Sequence, residues 1–515
     1  MANPVRKLAV LVSLLLAPAA AQGQSITGVV RDTSGAVLPG VTVEAESPAL
    51  IERVRSAITD GSGQYRIEAL RPGSYSVTFS LPGFSTVKRE GVELSGSFSA
   101  TVNGELRVGA LEETVTVTGE APIIDVQGTT RQSVLDHDIV DTIPAGRGPG
   151  GFYSYGLLLP GVVPGNTALQ DVGGSSGTYM VRLSAHGGDG GDQLMTQNGI
   201  GVGSLNDQGW FNRIVVNVAA TRETSIDTAA ISAEYSRGGV HVNIVPKDGG
   251  NKNEGTLYFA FANSSMQSSN ITPELQKRGL PTQGKVKKTS DFNPGMGGPL
   301  RANKLWYYVS ALYNTNSRYI PGSFENKNFN NVNAWTYEPD LDRPATADSV
   351  WRGGQVRLTW QATAKNKLGL TWAEQVNCEC SQGGSATAAP ETALYARYPN
   401  LRQAQADWTA PLTNRLLWES GALMFAGTSD GGRLPNLNPN MISVSEQSTG
   451  LLYRAGFAYR NSPNRALHMR AALSYIPGAH AIKVGFDHKS GWATDTSYVN
   501  NPPVQYRFNN GVPNQ

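Results

Sequence analysis

A two-residue period in the second half of the chain limits its possible folds more than any other feature. Leu257, Phe259 and Phe261 would share one face of a strand, with polar and small residues on the other. The alternation spans runs of roughly 8–11 residues, close to the length that a tilted strand needs to cross a bilayer. It recurs at 355–361, 403–410, 467–475 and 482–487. A soluble sandwich also alternates in this way, so the connections between runs must decide between the two.

The connections alternate between long and short, as in outer-membrane barrels with long extracellular loops and short periplasmic turns. Long connections are predicted at 264–289, 315–353, 377–402 and 427–465, and short ones at 301–303, 362–366, 411–414 and 477–479. Nine strands are predicted near 254–263, 290–300, 304–314, 354–361, 367–376, 403–410, 415–426, 466–476 and 480–489. Residues 453–460 alternate but would break the parity, and we interpret them as an extracellular hairpin extension.

Residues 251–515 are therefore predicted to be the N-terminal part of a transmembrane antiparallel β-barrel. Every main-chain polar group in hydrocarbon needs a partner, which forces such strands to close. Nine strands are too few and of the wrong parity, since bacterial barrels use even numbers and plugged transporters about 22. The expectation is an incomplete barrel with roughly half of its strands missing.

The first 21 residues have the pattern of a secretory signal peptide. Arg6 and Lys7 precede an apolar run at 8–16, and Ala19-Ala20-Ala21 offers a small-residue cleavage site. A run of about nine apolar residues is too short for a membrane anchor. Together with the alternating strands, this predicts export to the outer membrane with a periplasmic N-terminal domain. The near balance of 43 basic and 41 acidic residues gives no argument for nucleic acid.

Residues 25–105 are predicted to form a small β-sandwich, because turn signals separate short β-rich runs. The blocks Gly-Val-Val-Arg-Asp at 28–32, Leu-Pro-Gly-Val-Thr-Val at 38–43, Thr-Asp-Gly-Ser-Gly-Gln-Tyr at 59–65 and Leu-Arg-Pro-Gly-Ser-Tyr at 70–75 carry a resemblance. They resemble, in order, the carboxypeptidase-regulatory-like domain. The resemblance implies a binding or spacer module without catalytic residues.

Residues 125–250 are glycine-rich with short apolar runs. Leu-Leu-Leu-Pro-Gly-Val at 157–162, Asn-Gly-Ile at 198–200 and Ile-Ser-Ala-Glu-Tyr-Ser-Arg-Gly-Gly at 231–239 resemble stations of the plug in TonB-dependent receptors. The blocks 297–300, 304–308 and 475–485 resemble barrels of the Oar-like branch of that family, which also carries the N-terminal sandwich domain. The implied fold is all-β dominated, with a β-sandwich, an α+β plug domain and a barrel.

The linker 106–124 contains a short segment that favours an extended conformation and resembles a TonB box. Its residues are Glu113, Thr114, Val115, Thr116 and Val117. One interpretation is an edge strand of the sandwich. The other is a segment that pairs with a partner's sheet by strand addition, in which main-chain hydrogen bonds supply the affinity. The resemblance implies TonB, powered through ExbB and ExbD, as that partner.

Catalytic and metal-binding patterns are missing from the sequence, so no enzyme and no cofactor are expected. It has no His-Glu-x-x-His motif, and Cys378-Glu379-Cys380 favours a local disulfide or free thiols over a metal site. The resemblance implies energised uptake of an extracellular ligand, whose class (saccharide, peptide or siderophore) stays open. The alternative is an adhesive or structural barrel without transport.

Overall fold

The computed structural model describes most of the chain from Ser25 onward, with gaps. The described residues are 25–47, 50, 53–68, 70, 73–94, 99–107, 115–118, 131–136, 156, 158–164, 182–203, 214–278, 284–363, 365–413, 416–475, 482–500 and 502–514. The predicted signal peptide, 1–21, lies outside these residues and stays a prediction.

Two sheets face each other in the N-terminal part and confirm the predicted sandwich. The strands are β1 (Ser25–Asp32), β2 (Thr42–Glu46), β3 (Val54–Ile58), β4 (Gln64–Glu68), β5 (Gly73–Ser80), β6 (Val87–Leu94), β7 (Ser99–Thr101), β8 (Gly104–Leu106) and β9 (Val115–Thr118). One sheet has the order β4-β1-β7 with β8 also on β1, and the other has the order β3-β2-β5-β6-β9. Tyr75, Val77 and Phe79 point into the shared core and are at most 1% exposed.

A turn between β3 and β4 shows why this sequence forms a sandwich. The Asp60 carboxylate accepts hydrogen bonds from the backbone N–H groups of Ser62 and Gln64 at 2.9 and 3.1 Å. Gly63 follows with φ +70°, where a Cβ would lie 2.8 Å from the Val30 carbonyl oxygen. Asp and Gly are the residues that such a turn requires.

The plug contains a five-stranded mixed sheet and a separate two-stranded ribbon. Its strands are β10 (Arg131–Asp136), β11 (Val162–Pro164), β12 (Leu183–Ala185), β13 (Leu194–Gln197), β14 (Ile200–Gly201), β15 (Thr221–Ala229) and β16 (His241–Pro246). The sheet order is β10-β15-β16-β13-β14, and β11 pairs with β12. The first plug strand along the chain, β10, is therefore an edge strand.

Helices are few and short in the described residues. The plug has 3-10 turns at Gly190–Asp192 and Val218–Ala220, and the loops have Ser264–Met266 and Pro390–Thr392 together with one α-helix, α1 (Pro273–Lys277). In the part of the chain that the structure describes, none of them has the length and apolar character that a membrane crossing needs.

Nine antiparallel strands form one long curved wall, as the sequence predicts. They are β17 (Glu254–Asn263), β18 (Val286–Arg301), β19 (Leu305–Asn326), β20 (Pro339–Gln361), β21 (Lys367–Gln382), β22 (Leu394–Thr413), β23 (Leu416–Gly432), β26 (Ala458–Tyr475) and β27 (Ile482–Ala493). Within the described residues the sheet is open, with β17 and β27 at its edges. Several strands extend far into the predicted long loops, because neighbouring strands keep pairing beyond the alternating runs.

The two faces of the wall differ as the alternation predicts. Leu257, Leu370 and Val484 on the outer face are 70, 53 and 69% exposed. Polar side chains cover the inner face and are buried, among them Arg357, Thr359, Thr371, Gln375, Gln403 and Gln405. An apolar outer face and a polar interior are the signature of a membrane barrel wall.

The loops at the far end of the wall carry a small sheet of their own. It contains β24 (Ser443–Glu446), β25 (Leu451–Tyr453), β29 (Gln505–Asn509) and β30 (Val512–Pro513), while β28 (Thr496–Val499) pairs with β26. The predicted hairpin at 453–460 is therefore wrong in form. Its start ends β25 and its last residues open β26, because each half finds a different partner strand.

Cys378 and Cys380 form a disulfide, one of the two states favoured from the sequence. They lie on β21 rather than in the predicted long loop, since Cys378 pairs with Val350 of β20.

The exposed outer face predicts a position-specific response to charge. Leu370→Arg should lower the free energy of unfolding in a bilayer by up to about 2–4 kcal/mol, because a cation on the lipid face loses its water. Leu370→Phe at the same position should change it by less than about 1.5 kcal/mol. Denaturant unfolding of the folded protein in lipid measures both. Equal stabilities for the two variants would show that this face does not meet hydrocarbon.

Candidate functional site: the contact between plug and wall

The plug and the inner face of the wall share one apolar core. Ile200, Ile226 and Val242 of the plug belong to the same buried cluster as Leu401 and Phe425 of the wall. Gly421 leaves the space for this approach, because a Cβ there would lie 2.3 Å from Cδ1 of Ile200. The plug is thus held by close packing on one side, and polar contacts surround that packing.

Arg357 of β20 joins the end of the plug to the wall. Its Nε donates to Asp248 at 2.7 Å, and its Nη1 donates to Asp407 at 3.1 Å and to Thr371 Oγ1 at 2.9 Å. The Arg357 side chain is 4% exposed and that of Asp248 is 9% exposed. Charges this deeply buried need their partners, since an uncompensated one costs several kcal/mol. This cluster anchors the C-terminal end of the plug.

Glu234 in the plug forms a second, more accessible ion cluster with the wall. Its Oε2 lies 2.5 Å from Arg470 Nη2 and 3.0 Å from Lys483 Nζ. Burial raises the pKa of Glu234, but the two cations together lower it by more, so the pKa of Glu234 is below its ordinary value. The Glu234 side chain is 29% exposed. Water therefore screens this contact more than it screens the Arg357 cluster, and it is the easier of the two to break.

A tight turn brings the plug backbone against the same arginine. Asn198 and Gly199 both have positive φ, +50° and +73°, and connect β13 to β14 as Asn-Gly does in two-residue hairpins. The Gly199 carbonyl accepts from Arg470 Nη1 at 3.1 Å, and Asn198 Nδ2 donates to Asp407 at 3.3 Å. A Cβ at Gly199 would lie 2.1 Å from Arg470 Nη1, which explains the glycine.

Buried amide side chains provide a third kind of contact. The Gln375 side chain accepts from the Val215 N–H at 2.8 Å and donates to the Val215 carbonyl at 2.6 Å, as a neighbouring strand would. Asn217 Nδ2 donates to the carbonyl of Ala311 at 3.1 Å. These bonds satisfy backbone groups of the plug, at Val215, and of the wall, at Ala311. Hydrogen bonds of this kind can reform with water when the two surfaces separate.

The TonB-box-like segment is only partly within the described residues. Glu113 and Thr114 lie outside them, whereas Val115–Thr118 forms β9 and pairs in parallel with β6, with Val115 opposite Val87. This is the edge-strand arrangement that the sequence left open. Pairing by main-chain hydrogen bonds is also what strand addition to a partner requires, so the two interpretations describe one segment with two possible neighbours.

Comparisons with known proteins support the interpretation of the sequence. A family model described as the carboxypeptidase regulatory-like domain matches residues 25–107, close to the predicted 25–105. The TonB-dependent transporter Oar of Myxococcus xanthus is 28% identical to the chain over 302 residues, which are 56% of this chain and 26% of that protein. The resemblance to TonB-dependent transporters of the Oar type is confirmed. Such proteins are transporters and not enzymes.

Solved structures of similar arrangement are also known. The siderophore receptor PirA from Acinetobacter baumannii is 15% identical, with 71% of this chain and 48% of that chain covered and a TM-score of 0.45. The outer membrane transporter YddB from Escherichia coli is 11% identical, with 74 and 50% covered and a TM-score of 0.48. The chain spans about half the length of these structures and about a quarter of the curated relative.

The sequence missed the residues that connect plug and wall. Arg357 and Asp407 are separated by 50 residues, and they meet only because β20 and β22 lie on either side of β21 in the wall. Glu234 lies within a motif that the sequence did single out, but nothing there pointed to Arg470 as its partner. Among the described residues, no group of three or more His, Cys, Asp or Glu could hold a metal ion.

The Arg357 cluster predicts that replacing a buried arginine lowers the free energy of unfolding much more than replacing an exposed one. Arg357→Met should destabilise the protein by about 3–5 kcal/mol, because Asp407 loses this cation and Asp248 keeps the more distant Lys367, whose Nζ lies 3.5 Å away. The control is Arg402→Met on β22, whose partner Glu374 is 3.0 Å away with both side chains about half exposed. It should cost less than about 1 kcal/mol. Denaturant midpoints decide, and similar shifts for both variants would contradict the anchor.

The pairing of β9 predicts a specific cross-link. Lys88 and Thr116 are register partners, so Lys88→Cys with Thr116→Cys should oxidise to a disulfide. Lys88→Cys with Val117→Cys is the control, because a shift of one residue places the second side chain on the other face. Mass spectrometry after mild oxidation measures both. Equal yields from the two pairs would argue against this register.

Proposed function

We propose that this chain is part of an outer-membrane receptor that imports an extracellular ligand in a TonB-dependent step. The observation that carries the proposal is the arrangement of the plug against the wall. Its contacts are ion pairs and side-chain-to-backbone hydrogen bonds around a limited apolar core, which can exchange for water when the plug moves. A barrel that never opened would gain more stability from an apolar contact than from buried ions.

The order of the elements supports energised opening. The TonB-box-like segment precedes the plug, and β10, the first plug strand, is at the edge of its sheet. Tension on that segment would reach β10 before any other plug strand. Removing an edge strand breaks one ladder and leaves the other strand pairs in place. We propose TonB, powered through ExbB and ExbD, as the partner of the segment from Glu113 to Val117.

The similarity to Oar and the apolar outer face of the wall support the proposed location in the outer membrane. The predicted signal peptide supports export, and the sandwich of residues 25–107 would then lie in the periplasm. PirA is described as a siderophore receptor, whereas Oar and YddB are described as transporters without a ligand. The ligand of this chain therefore stays open among saccharide, peptide and siderophore classes.

The alternative is an adhesive or structural barrel that keeps the scaffold without transport. In that case a ligand could bind the outer loops, but the segment at 113–117 would have no effect on its fate. Transport and adhesion are thus separated by one measurement, uptake, while binding at the cell surface is common to both.

The test uses the dependence of strand addition on the main chain. Val115→Pro with Val117→Pro removes two N–H groups from the segment, and uptake should fall to the background of cells without TonB. Val115→Ala with Val117→Ala keeps the main chain and should retain at least about half of the uptake, because strand addition depends little on side chains.

Both variants should bind ligand at the cell surface like the unchanged protein. Uptake that survives the proline pair would defeat the TonB mechanism. Surface binding without uptake in the unchanged protein would favour the adhesive barrel instead.

A further inference from the structure

A chain of buried polar side chains crosses the plug beside the contact already described. His241 on β16 lies between Asp227 on β15 and Thr196 on β13, and its side chain is 3% exposed. Its Nδ1 is 2.8 Å from Asp227 Oδ2, and its Nε2 is 2.9 Å from Thr196 Oγ1. Because both ring nitrogens are in hydrogen bonds, the partners of each nitrogen indicate whether it carries a proton.

The direction of each hydrogen bond follows from the groups at the two ends. The Gly199 N–H can only donate, so the Asn243 atom that it meets at 3.0 Å is the acceptor Oδ1. Thr196 Oγ1 is 2.8 Å from the same oxygen and must donate its single proton there. Thr196 can then only accept from His241, which places a proton on Nε2.

The other ring nitrogen also donates. The Asp227 carboxylate accepts at both oxygens, from Gln132 Nε2 at 2.6 Å on Oδ1 and from the imidazole on Oδ2. Nδ1 carries a proton as well when Asp227 is ionised, because an ionised carboxylate has no proton to give. His241 is then an imidazolium paired with Asp227, and the buried charges compensate each other.

The other groups around the ring do not supply a competing partner. The Tyr235 ring lies against His241 with centroids 4.2 Å apart and a 37° angle between the ring planes, and Arg470 Cζ lies 5.9 Å from the centre of the Tyr235 ring. Glu234 is paired with Arg470 and Lys483. Strand β10 contributes Gln132, which bonds to Asp227. Strands β13 and β16 contribute Thr196 and Asn243, which are uncharged. Asp227 is therefore the counter-ion.

We propose that doubly protonated His241 is a positioning residue that holds the Asn198-Gly199 turn against the wall. His241 donates to Thr196, and Thr196 and the Gly199 N–H both donate to the side-chain oxygen of Asn243. The Gly199 carbonyl in turn accepts from Arg470. The same chain begins at Gln132 on β10, so removal of that strand takes one donor from Asp227.

The link between this chain and import rests on the proposed function, but the chain itself can be tested without TonB. Nitrogen NMR of the whole protein in lipid, labelled only at histidine, should show two protonated ring nitrogens for the resonances that disappear in His241→Asn. A single protonated nitrogen at His241 under all folded conditions would overturn the proposal.

Hydrogen exchange separates positioning from general stability. Thr196→Val keeps the shape of the side chain but removes the hydroxyl, and amide exchange across residues 196–201 should become about tenfold faster. Thr196→Ser keeps the hydroxyl and should stay within about twofold of the unchanged protein. His488→Asn on β27 is a further control and should have no effect, because this exposed histidine shares the outer face of the wall with Val484 and Phe486.

If Thr196→Val and Thr196→Ser exchange alike, the hydroxyl does not hold the turn and the proposal fails. Because these measurements contain no TonB and no ligand, that failure would leave the proposed import function untouched. Conversely, loss of import in the proline variant of the 113–117 segment says nothing about His241.

Discussion

The structure depends first on the need of every main-chain N–H and C=O group in hydrocarbon for a partner. Nine antiparallel strands meet this need along the wall, and their alternation then follows, with apolar side chains outward and polar ones inward. That inner face is what the plug contacts. The polar interior of the barrel is therefore the reason why the plug is held by ion pairs and amides as well as by packing.

The contacts between plug and wall divide by burial. Arg357 and Asp248 are almost completely shielded from water, whereas Glu234 is partly exposed beside Arg470 and Lys483. The plug is thus fixed more firmly at Asp248 than at Glu234. A receptor that must open and close again is served by such a difference, because the plug can move at the weaker contact and remain attached at the stronger one.

The polar chain through His241 links strand β10 of the plug to the contact between plug and wall. It begins at the edge strand nearest to the proposed TonB segment and ends at the Asn198-Gly199 turn, which Arg470 holds from the wall. Asp227, His241 and Thr196 are buried, Gln132 and Asn243 are half-buried, and each bond needs the next to be satisfied, so the chain behaves as a unit rather than as separate pairs. Displacement of β10 would therefore weaken the contact between the Asn198-Gly199 turn and Arg470 of the wall.

Much of the architecture followed from local pattern in the sequence alone. Alternation and connection length determined the nine strands of the wall and the side that each of their residues faces, because a strand's side-chain period does not depend on its partners. Turn residues determined the sandwich in the same way. The tertiary structure alone decided how far each strand extends, that 453–460 divides between two sheets, and which charges meet. Arg357 and Asp407, or His241 and Thr196, are distant in sequence, and only strand pairing and the seating of the plug bring their atoms into contact.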